Sequence, residues 1–267
     1  MQNSIRQLFI PSQPTIRSSE RSVQYHEVLP AKPLLSFIYC YWRLRTTQAI
    51  KNGFNYRVVA DGCIDIFFSL KSPNESFVMG FCKKYTQFEL DETFDYIGIR
   101  FLPTMFPQIF GIDGRALSNR YLKLTDVIPK VATFIEDSFD VSSDFSEIVV
   151  KLDIFLISQI KSASFDWDNR LYNALGTIFK SQGTLNIEAL DTGISQRQLR
   201  RVFQYYIGDS PKTFAKVVRF QNILKAKPST KSLRENKLFF DVGFFDQSHF
   251  IKDFKKFYGV TPTQAFR

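Results

Sequence analysis

The sequence predicts an α+β protein of two domains: an N-terminal β-barrel or sandwich with trailing helices, and a C-terminal domain built only of helices. Three observations predict this fold class. Short alternating apolar stretches fill residues 25–106, helical periodicity replaces them from residue 107, and the excess positive charge lies after residue 167. A chain of 267 residues with 44% hydrophobic content is long enough for two cores.

The strand region is read from four stretches separated by turn residues. They are "GCIDIFFSL", "SFVMGFC", "TQFEL" and "DYIGIRFLP". Several short strands at this spacing are typical of a small barrel or sandwich. Helices are expected at about 107–162 and complete a first domain over residues 1–162.

The last helix of that domain has a second interpretation. "SEIVVKLDIFLISQIKS" places apolar residues at steps of three and four, which is typical of an amphipathic helix. It is either a core helix or a contact between two copies of the chain.

Charge is divided unevenly between the two halves. Residues 1–167 contain 18 Lys and Arg against 18 Asp and Glu, whereas residues 168–267 contain 17 against 8, so the net charge of +9 belongs to the second half. This asymmetry favours a polyanion-binding module joined to a neutral one. The alternative is a basic domain without such a partner.

Several function classes are disfavoured by what the sequence lacks. Cys40, Cys63 and Cys82 form no CxxC pair, which predicts buried thiols in a reducing compartment. His26 and His249 are too far apart in the chain to suggest a metal site, and no cofactor is expected. The sequence has neither an apolar run of 18 residues nor a signal-peptide core, so we expect a cytoplasmic protein that does not span a membrane.

Two segments of the second half resemble each other. They are "NIEALDTGISQRQLRRVFQYYIGDSP", residues 186–211, and "KLFFDVGFFDQSHFIKDFKKFYGVTP", residues 237–262. Each has a short helical pattern, a glycine, an N-cap residue (Ser195 or Asp246), a second helix, and a glycine shortly before proline. Helix, glycine turn and capped helix form a helix-turn-helix unit.

The second helix of each unit has a polar face that a core would not select. Its predicted DNA contacts are Ser195, Gln196, Arg197, Gln198, Arg200 and Arg201 in the first unit, and Gln247, Ser248, His249, Ile251 and Lys252 in the second. Arginine pairs with guanine and glutamine with adenine in the major groove. The alternative for the arginines is a solvated face, and for His249 a packing or capping role. The aromatic residues on the same helices have core spacing rather than that of base-stacking platforms.

Residues from about 170 to 267 resemble the DNA-binding domain of AraC/XylS-family transcription regulators, on "GISQRQLRRVF" and "GFFDQSHFIKDFKKFYGVTP". The resemblance implies a domain over 163–267 with helix-turn-helix units at about 186–208 and 236–259, joined by a long helix over 211–225. It also implies that both recognition helices enter successive major grooves of duplex DNA. Phe239 departs from the family, which usually has alanine four residues before Gly243.

The first half resembles the sensor-type domain of many AraC-like regulators, on "YHEVLPAKPLLSFIYCYWRL", "ADGCIDIFFSL" and "IGIRFLP". This implies a cupin-like β-barrel followed by helices. Candidate ligand-binding residues are Tyr41, Trp42, Asp61, Asp65 and Arg100. Core packing is the alternative for each, and a turn followed by a strand explains the two aspartates better than an acid–base pair.

The resemblance implies a sequence-specific, non-enzymatic transcription factor that is regulated by a small molecule or partner at its N-terminal domain. It favours a homodimer through residues 144–162, and RNA polymerase is a further candidate partner. The alternative is an enzyme-fused DNA-binding protein of the repair or modification type, with its chemistry in the barrel. That alternative needs a reactive thiol, and only Cys82 has basic neighbours, Lys83 and Lys84, that could lower its pKa.

Overall fold

The computed structural model describes residues 2–14, 22–51, 53–226 and 246–266. Its N-terminal domain begins with helix α1 (Gln2–Leu8) and is dominated by strands. These are β1 (Val23–Val28), β2 (Ile38–Thr46), β3 (Phe54–Val58), β4 (Ile64–Ser69), β5 (Ser76–Met79), β6 (Thr86–Leu90), β7 (Asp95–Phe101) and β8 (Tyr121–Lys123). The strands from β1 to β7 occupy the region where alternation predicts them, which confirms the predicted β-rich domain.

The strands form two antiparallel sheets. One has the order β1-β2-β7-β4-β5-β8, and the other pairs β3 with β6. Strand β8 lies within the region of the helices expected at about 107–162, and it extends the large sheet by pairing Leu122 with Val78 of β5. Three residues are too few for alternation to be recognised in the sequence.

Alternation along the strands gives the large sheet two apolar faces. On one face Cys40, Trp42 and Leu44 of β2 pack with residues of β3 and β6. On the other face Tyr41 and its neighbours pack in the main core, against the helices. The two sheets therefore enclose a separate aromatic cluster between them. A cupin-like relationship stays a prediction.

Five helices follow β7 in the N-terminal domain, with β8 between the second and the third of them. They are α2 (Met105–Phe110), α3 (Gly114–Leu117), α4 (Leu124–Val127), α5 (Pro129–Ser138) and α6 (Phe145–Ser162). Asp144 caps α6 by accepting a hydrogen bond from the Ser146 N–H at 2.9 Å. One face of α6 is buried through Leu152 and its neighbours, while Val150 and Ile154 remain 56% and 66% exposed.

The C-terminal domain is helical, as predicted. Its described helices are α7 (Asn169–Lys180), α8 (Gln196–Tyr206), α9 (Pro211–Ala226), α10 (Gln247–Tyr258) and α11 (Pro262–Ala265). The predicted joining helix is α9, and its Phe220 ring lies 5.4 Å from that of Phe254 on α10. The residues predicted to form the first helix and glycine turn of the second unit, with Phe239 and Gly243, lie outside the described residues.

The two domains share one apolar core. The ring of Phe9, in the N-terminal arm, lies 5.2 Å from that of Phe179 on α7. At the centre of the contact is the buried side chain of Gln221 on α9. Its Nε2 donates to the Ala60 carbonyl at 2.8 Å, and its Oε1 accepts from the Ser12 N–H at 2.7 Å. One amide thus joins the arm, a loop of the β domain and the helical domain.

Candidate functional site

Helix α8 begins at a capping box. Ser195 Oγ accepts a hydrogen bond from the Gln198 N–H at 3.2 Å, and Gln198 Oε1 accepts one from the Ser195 N–H at 3.1 Å. Just before it, Gly193 has a φ of 71°, and its N–H donates to Asp191 Oδ1. The structure therefore has the predicted glycine turn and N-cap, which fix where α8 starts.

The predicted contact residues of α8 divide into two groups. Arg197, Arg200 and Arg201 are exposed, and the buried Leu199 and Phe203 anchor the helix in the core. Ser195 and Gln198 bind each other in the capping box, and Gln196 Nε2 donates back to the Glu188 carbonyl at 3.3 Å. The outward face of α8 is therefore a row of three arginines.

Helix α10 is built in the same way. Asp246 caps it by accepting a hydrogen bond from the His249 N–H at 2.7 Å. At its C-terminus the Gly259 N–H donates to the Lys255 carbonyl, with a φ of 98° at the glycine. Three phenylalanines of α10 are buried, which confirms their core interpretation: Phe250, Phe254 and Phe257.

The predicted contact residues of α10 lie on its outward side. Gln247, Ser248, Ile251 and Lys252 are exposed, and His249 is half-buried. His249 Nε2 lies 3.4 Å from a carboxylate oxygen of Asp253, which also accepts from Lys216 of α9 at 3.0 Å. This face presents uncharged polar groups and one lysine, unlike the arginine row of α8.

An open groove beside α8 adds two arginines that sequence reasoning missed. The groove of about 470 Å³ is lined by Arg115 of α3, Arg170 of α7 and Arg201 of α8, among others. Arg115 and Arg170 each bind the aspartate at their own helix N-terminus and stay more than half exposed. Their distance in sequence from residues 195–201 hid this proximity, which extends the basic surface beyond the recognition helix.

The second candidate site is a cavity of about 190 Å³ between the two sheets. Its walls are mostly aromatic, contributed by Trp42, Tyr56, Phe67, Phe77, Phe88, Tyr96 and Tyr121. The indole ring of Trp42 lies against Gly98 of the neighbouring strand β7. A Cβ at this position would come within 1.9 Å of the ring, so only glycine leaves room for it. Gly98 therefore shapes one wall, a role visible only once β2 and β7 are paired.

The polar end of this cavity is a buried ion cluster. Arg100 is 1% exposed, and its Nε and Nη2 donate to Asp65 at 3.2 and 3.0 Å. Trp42 Nε1 also donates to Asp65, at 3.0 Å. Burial raises the pKa of Asp65 to about 6, the nearby Asp61 adds to this shift, and Arg100 opposes it. Trp42, Asp65 and Arg100 are thus brought together as predicted ligand-binding candidates.

The other two candidates lie elsewhere. Tyr41 is on the opposite face of β2, where its hydroxyl donates to Asp153 of α6 at 2.8 Å. Successive residues of a strand point to opposite faces, so Tyr41 and Trp42 cannot both line one cavity. Asp61 lies in a loop, where it accepts from Gln13 Nε2 at 2.8 Å, and 3.5 Å separates one of its carboxylate oxygens from Arg100 Nε. It lies beside the ion cluster, and the residues that line the cavity do not include it.

The three cysteines are buried thiols rather than nucleophiles. Burial raises the pKa of Cys40 and Cys63, and raises that of Cys82 to about 12. The expectation that Lys83 and Lys84 might activate Cys82 is therefore wrong, because desolvation outweighs their charge. Among the described residues, no group of three or more His, Cys, Asp and Glu side chains is placed to hold a metal ion. No helix within those residues is long and apolar enough to cross a bilayer.

The outer side of the cavity wall contacts α10. Tyr56 and Val58 of β3 line the cavity, and Arg57 between them reaches Gly259, whose added Cβ would lie 2.9 Å from Arg57 Nε. Next to β6, the Tyr85 N–H donates to the Lys256 carbonyl at 3.1 Å. The last turn of α10 is therefore in contact with Arg57 of β3 and with Tyr85, the residue just before β6, beside the small sheet that closes the cavity.

Comparison with known families identifies both halves of the chain. Residues 189–267 match the family described as "Helix-turn-helix domain", and residues 26–123 match a "Domain of unknown function" numbered DUF6597. The C-terminal domain is thus a helix-turn-helix domain of the AraC type, which confirms the resemblance read from its two motifs.

Individual relatives are more distant. An uncharacterized HTH-type transcriptional regulator of Haemophilus influenzae is 36% identical over 101 residues, which cover 36% of this chain and 33% of that protein. The chain thus matches about a third of that relative's length. Crystal structures of apo and of unsaturated fatty acid bound ToxT from Vibrio cholerae superpose with TM-scores of 0.41 and 0.39, at 12% and 14% identity. Both superpositions cover 94% of this chain, and 98% and 96% of the respective ToxT chains.

Proposed function

We propose that this chain, whose C-terminal domain is of the AraC helix-turn-helix type, is a sequence-specific transcription regulator of duplex DNA. The observation that carries the proposal is the pair of capped helices, α8 and α10, each with a buried apolar face and an exposed polar one. The net charge of +9 in the same half supplies the attraction to phosphate. Each helix is proposed to enter one of two successive major grooves.

The predicted DNA contacts take different roles in this proposal. Arg197, Arg200 and Arg201 are free to reach base edges and phosphates from α8, and the outward residues of α10 read its groove. Ser195 and Gln198 fix the start of α8, where the helix N-terminus favours a phosphate. Arg115 and Arg170 extend the phosphate contact along the backbone.

Regulation is proposed to pass from the cavity to α10. A molecule between the sheets changes the position of the β3–β6 wall, whose Arg57 and Tyr85 hold the last turn of α10. The position of α10 then changes relative to α8, and with it the fit to two successive grooves. The effector is proposed to be a small molecule that contacts Trp42, Asp65 and Arg100.

Further assignments follow from the same proposal. We propose a domain boundary between residues 162 and 163, and the end of α6 at Ser162 supports it. Two copies are proposed to pair through residues 144–162, since Val150 and Ile154 leave apolar surface exposed there.

RNA polymerase is proposed as a partner and the cytoplasm as the location, because a transcription regulator works where the chromosome is transcribed. The protein is proposed to be non-enzymatic, and its buried cysteines give a DNA-modifying alternative no support.

The test is selection of genomic fragments with the purified full-length protein at moderate salt, followed by footprinting. We expect a recovered motif with two protected sites about one helical turn apart. Binding that is salt-sensitive but indifferent to sequence would contradict the proposal, because phosphate contacts alone carry no sequence information.

A further inference from the structure

The size and walls of the cavity limit what it can hold. Phe67 is one of the wall residues. Its ring centroid is 6.4 Å from that of Trp42, 5.5 Å from that of Phe77 and 6.0 Å from that of Phe88. The cavity volume is about 190 Å³. An apolar cavity of ~150 Å³ is enough for benzene. The space therefore fits one aromatic ring with a short substituent, in stacked or edge-on contact with the walls.

Arg100, which lines the polar end of the cavity, has a donor without an acceptor. Arg100 uses Nε and Nη2 to bind Asp65, but its buried Nη1 has no hydrogen-bond partner among the described residues. The nearest carboxylate oxygen, on Glu27, is 3.6 Å away, which is too far for a hydrogen bond. A buried unsatisfied donor is costly, and a ligand that brings an acceptor removes that cost.

The charges around Arg100 decide which acceptor is suitable. Asp65, Asp61 and Glu27 all place a carboxylate oxygen within 3.6 Å of this one guanidinium. A ligand carboxylate would be the fourth negative group in a poorly solvated site, where like charges repel strongly. The raised pKa of Asp65, caused first by burial and increased by Asp61, reflects the same crowding of negative charge.

A cationic ligand is also disfavoured at this position. It would have to approach the guanidinium of Arg100 itself, and the oxygens of Asp65 already accept from Arg100 and Trp42. We propose that the cavity binds an uncharged single-ring aromatic molecule that offers a carbonyl or hydroxyl oxygen to Arg100 Nη1. The inference rests on the proposed function, since it names the chemical class of the effector.

Three probes of nearly identical shape test the class directly: benzamide, benzoate and benzamidinium. They differ in charge at one planar substituent, so differences in binding report the polar end of the cavity. The protein is the full chain carrying Trp167→Phe, which leaves Trp42 as the single tryptophan reporter in the cavity wall. Each probe is titrated by tryptophan fluorescence and, independently, by ligand-observed NMR.

We expect benzamide to bind in the millimolar range or tighter, and ~10-fold more tightly than either charged probe, which corresponds to ~1.4 kcal/mol. Tighter binding of benzoate or of benzamidinium would overturn the proposed class. Absence of binding by all three probes would overturn the cavity as a site for single-ring ligands.

A second variant tests the reason for the preference. Glu27→Gln removes one carboxylate near Arg100 and keeps a side-chain oxygen that can accept the hydrogen bond from the Tyr25 hydroxyl. We expect benzoate to gain affinity ~3-fold or more and benzamide to change little. The matched control is Glu92→Gln, an exposed residue that does not line the cavity. Equal effects of the two variants would overturn the assignment to Arg100.

The same preparation is assayed on a DNA fragment recovered by the genomic selection. Sequence-specific DNA binding without any probe binding would refute this inference and leave the regulator function standing. Probe binding without sequence-specific DNA binding would refute the proposed function and leave the site standing.

Discussion

The two recognition helices are similar in construction but differ in what they present and in what holds them. α8 starts in a capping box and exposes three arginines, Arg197, Arg200 and Arg201. α10 starts at a single aspartate cap and exposes Gln247, Ser248, Ile251 and Lys252 on its predicted contact face, with Lys255 and Lys256 exposed in its last turn. Arginine provides both phosphate attraction and guanine recognition, so we expect α8 to contribute more of the affinity.

The helices also differ in their contact with the N-terminal domain. The residues after α8 are attached by an ion pair between Lys83 and Asp209 at 2.8 Å, and by close backbone packing at Gly208. The last turn of α10 is attached through backbone hydrogen bonds to the Phe257 and Lys256 carbonyls from loops beside the cavity. On the proposed regulation, this difference in contacts makes α10 the helix whose position responds to a ligand in the cavity.

The largest effect is expected from removing the aromatic centre that holds α10. Phe254 is 1% exposed and its ring contacts those of Phe220, Phe250, Tyr258 and Phe266. Phe254→Ala is expected to lower the free energy of unfolding by about 3–5 kcal/mol, measured by urea denaturation. Ile251→Ala, on the exposed side of the same helix, is the control and is expected to cost below ~0.5 kcal/mol. Similar values for the two variants would contradict the placement of α10.

Alanine substitutions at the glycines that follow α8 and α10 compare how tightly each helix end packs against the N-terminal domain. Gly208 and Gly259 have φ of 108° and 98°, so both variants pay about 1–2 kcal/mol of backbone strain. At Gly208 the new Cβ would meet the Gly114 carbonyl oxygen at 3.0 Å, which is backbone, whereas at Gly259 it would meet side-chain atoms, Arg57 Nε at 2.9 Å and the Tyr85 ring at 3.1 Å. Gly208→Ala is therefore expected to lower the unfolding free energy more, by about 1 kcal/mol or more beyond Gly259→Ala. The reverse order in urea denaturation would show that α10 is the more rigidly held helix.

Removing one arginine of α8 tests the division of labour in DNA binding. Arg200→Ala is expected to weaken binding to a selected site by about 1–3 kcal/mol and to relax base preference at one position. Lys180→Ala, which removes an exposed positive charge at the end of α7, is the matched control and should weaken binding less, without a change in base preference. Affinities from titrations at two salt concentrations separate the two effects. Unchanged base preference in Arg200→Ala would remove it from the set of base readers.

The smallest effect concerns the ion pair after α8. Burial opposes ionisation of Asp209, but the Lys83 ammonium and the Ser210 N–H outweigh it, so the pKa of Asp209 lies below its usual value. A lowered carboxyl pKa contributes stability above the unfolded-state pKa, near 4, that is lost as pH falls through the folded-state pKa. Asp209→Asn should therefore cost about 1 kcal/mol at pH 7, and the difference from wild type should disappear as the pH falls through the lowered folded-state pKa of Asp209. A difference that persists in acid would indicate that packing, not charge, makes this contact.

The sequence predicts the local features of both candidate sites well. N-caps at Ser195 and Asp246, the glycine at 193 and the aromatic core spacing of α10 all depend on residues within one or two turns. The sequence predicts the strands of residues 25–106 for the same reason, because alternation of apolar and polar residues is a local signal. Strand β8 is not predicted from the sequence, because its three residues form a strand through their pairing with β5.

The features of the cavity that the sequence does not predict depend on pairing between strands that are distant in the chain. Arg100 meets Asp65 because β7 pairs with β4, and Gly98 makes room for Trp42 because β7 also pairs with β2. Tyr41 and Trp42 are consecutive residues of β2, and consecutive side chains of a strand point to opposite faces. Only one of the two can therefore line the cavity. The attachment of α8 and α10 to the N-terminal domain joins residues too distant in sequence for any motif to record.

The bridge made by Gln221 has a consequence for how the protein is synthesised. It binds the backbone of Ser12, 209 residues earlier in the chain, so the N-terminal arm cannot take its final place until α9 exists. At ~5–20 residues per second a ribosome needs on the order of 10–50 s to make a chain of 267 residues. For most of that time the apolar side chain of Phe9 lacks its partner Phe179. A nascent chain therefore spends that interval with unsatisfied apolar surface at its N-terminus, where a chaperone would be most useful to it.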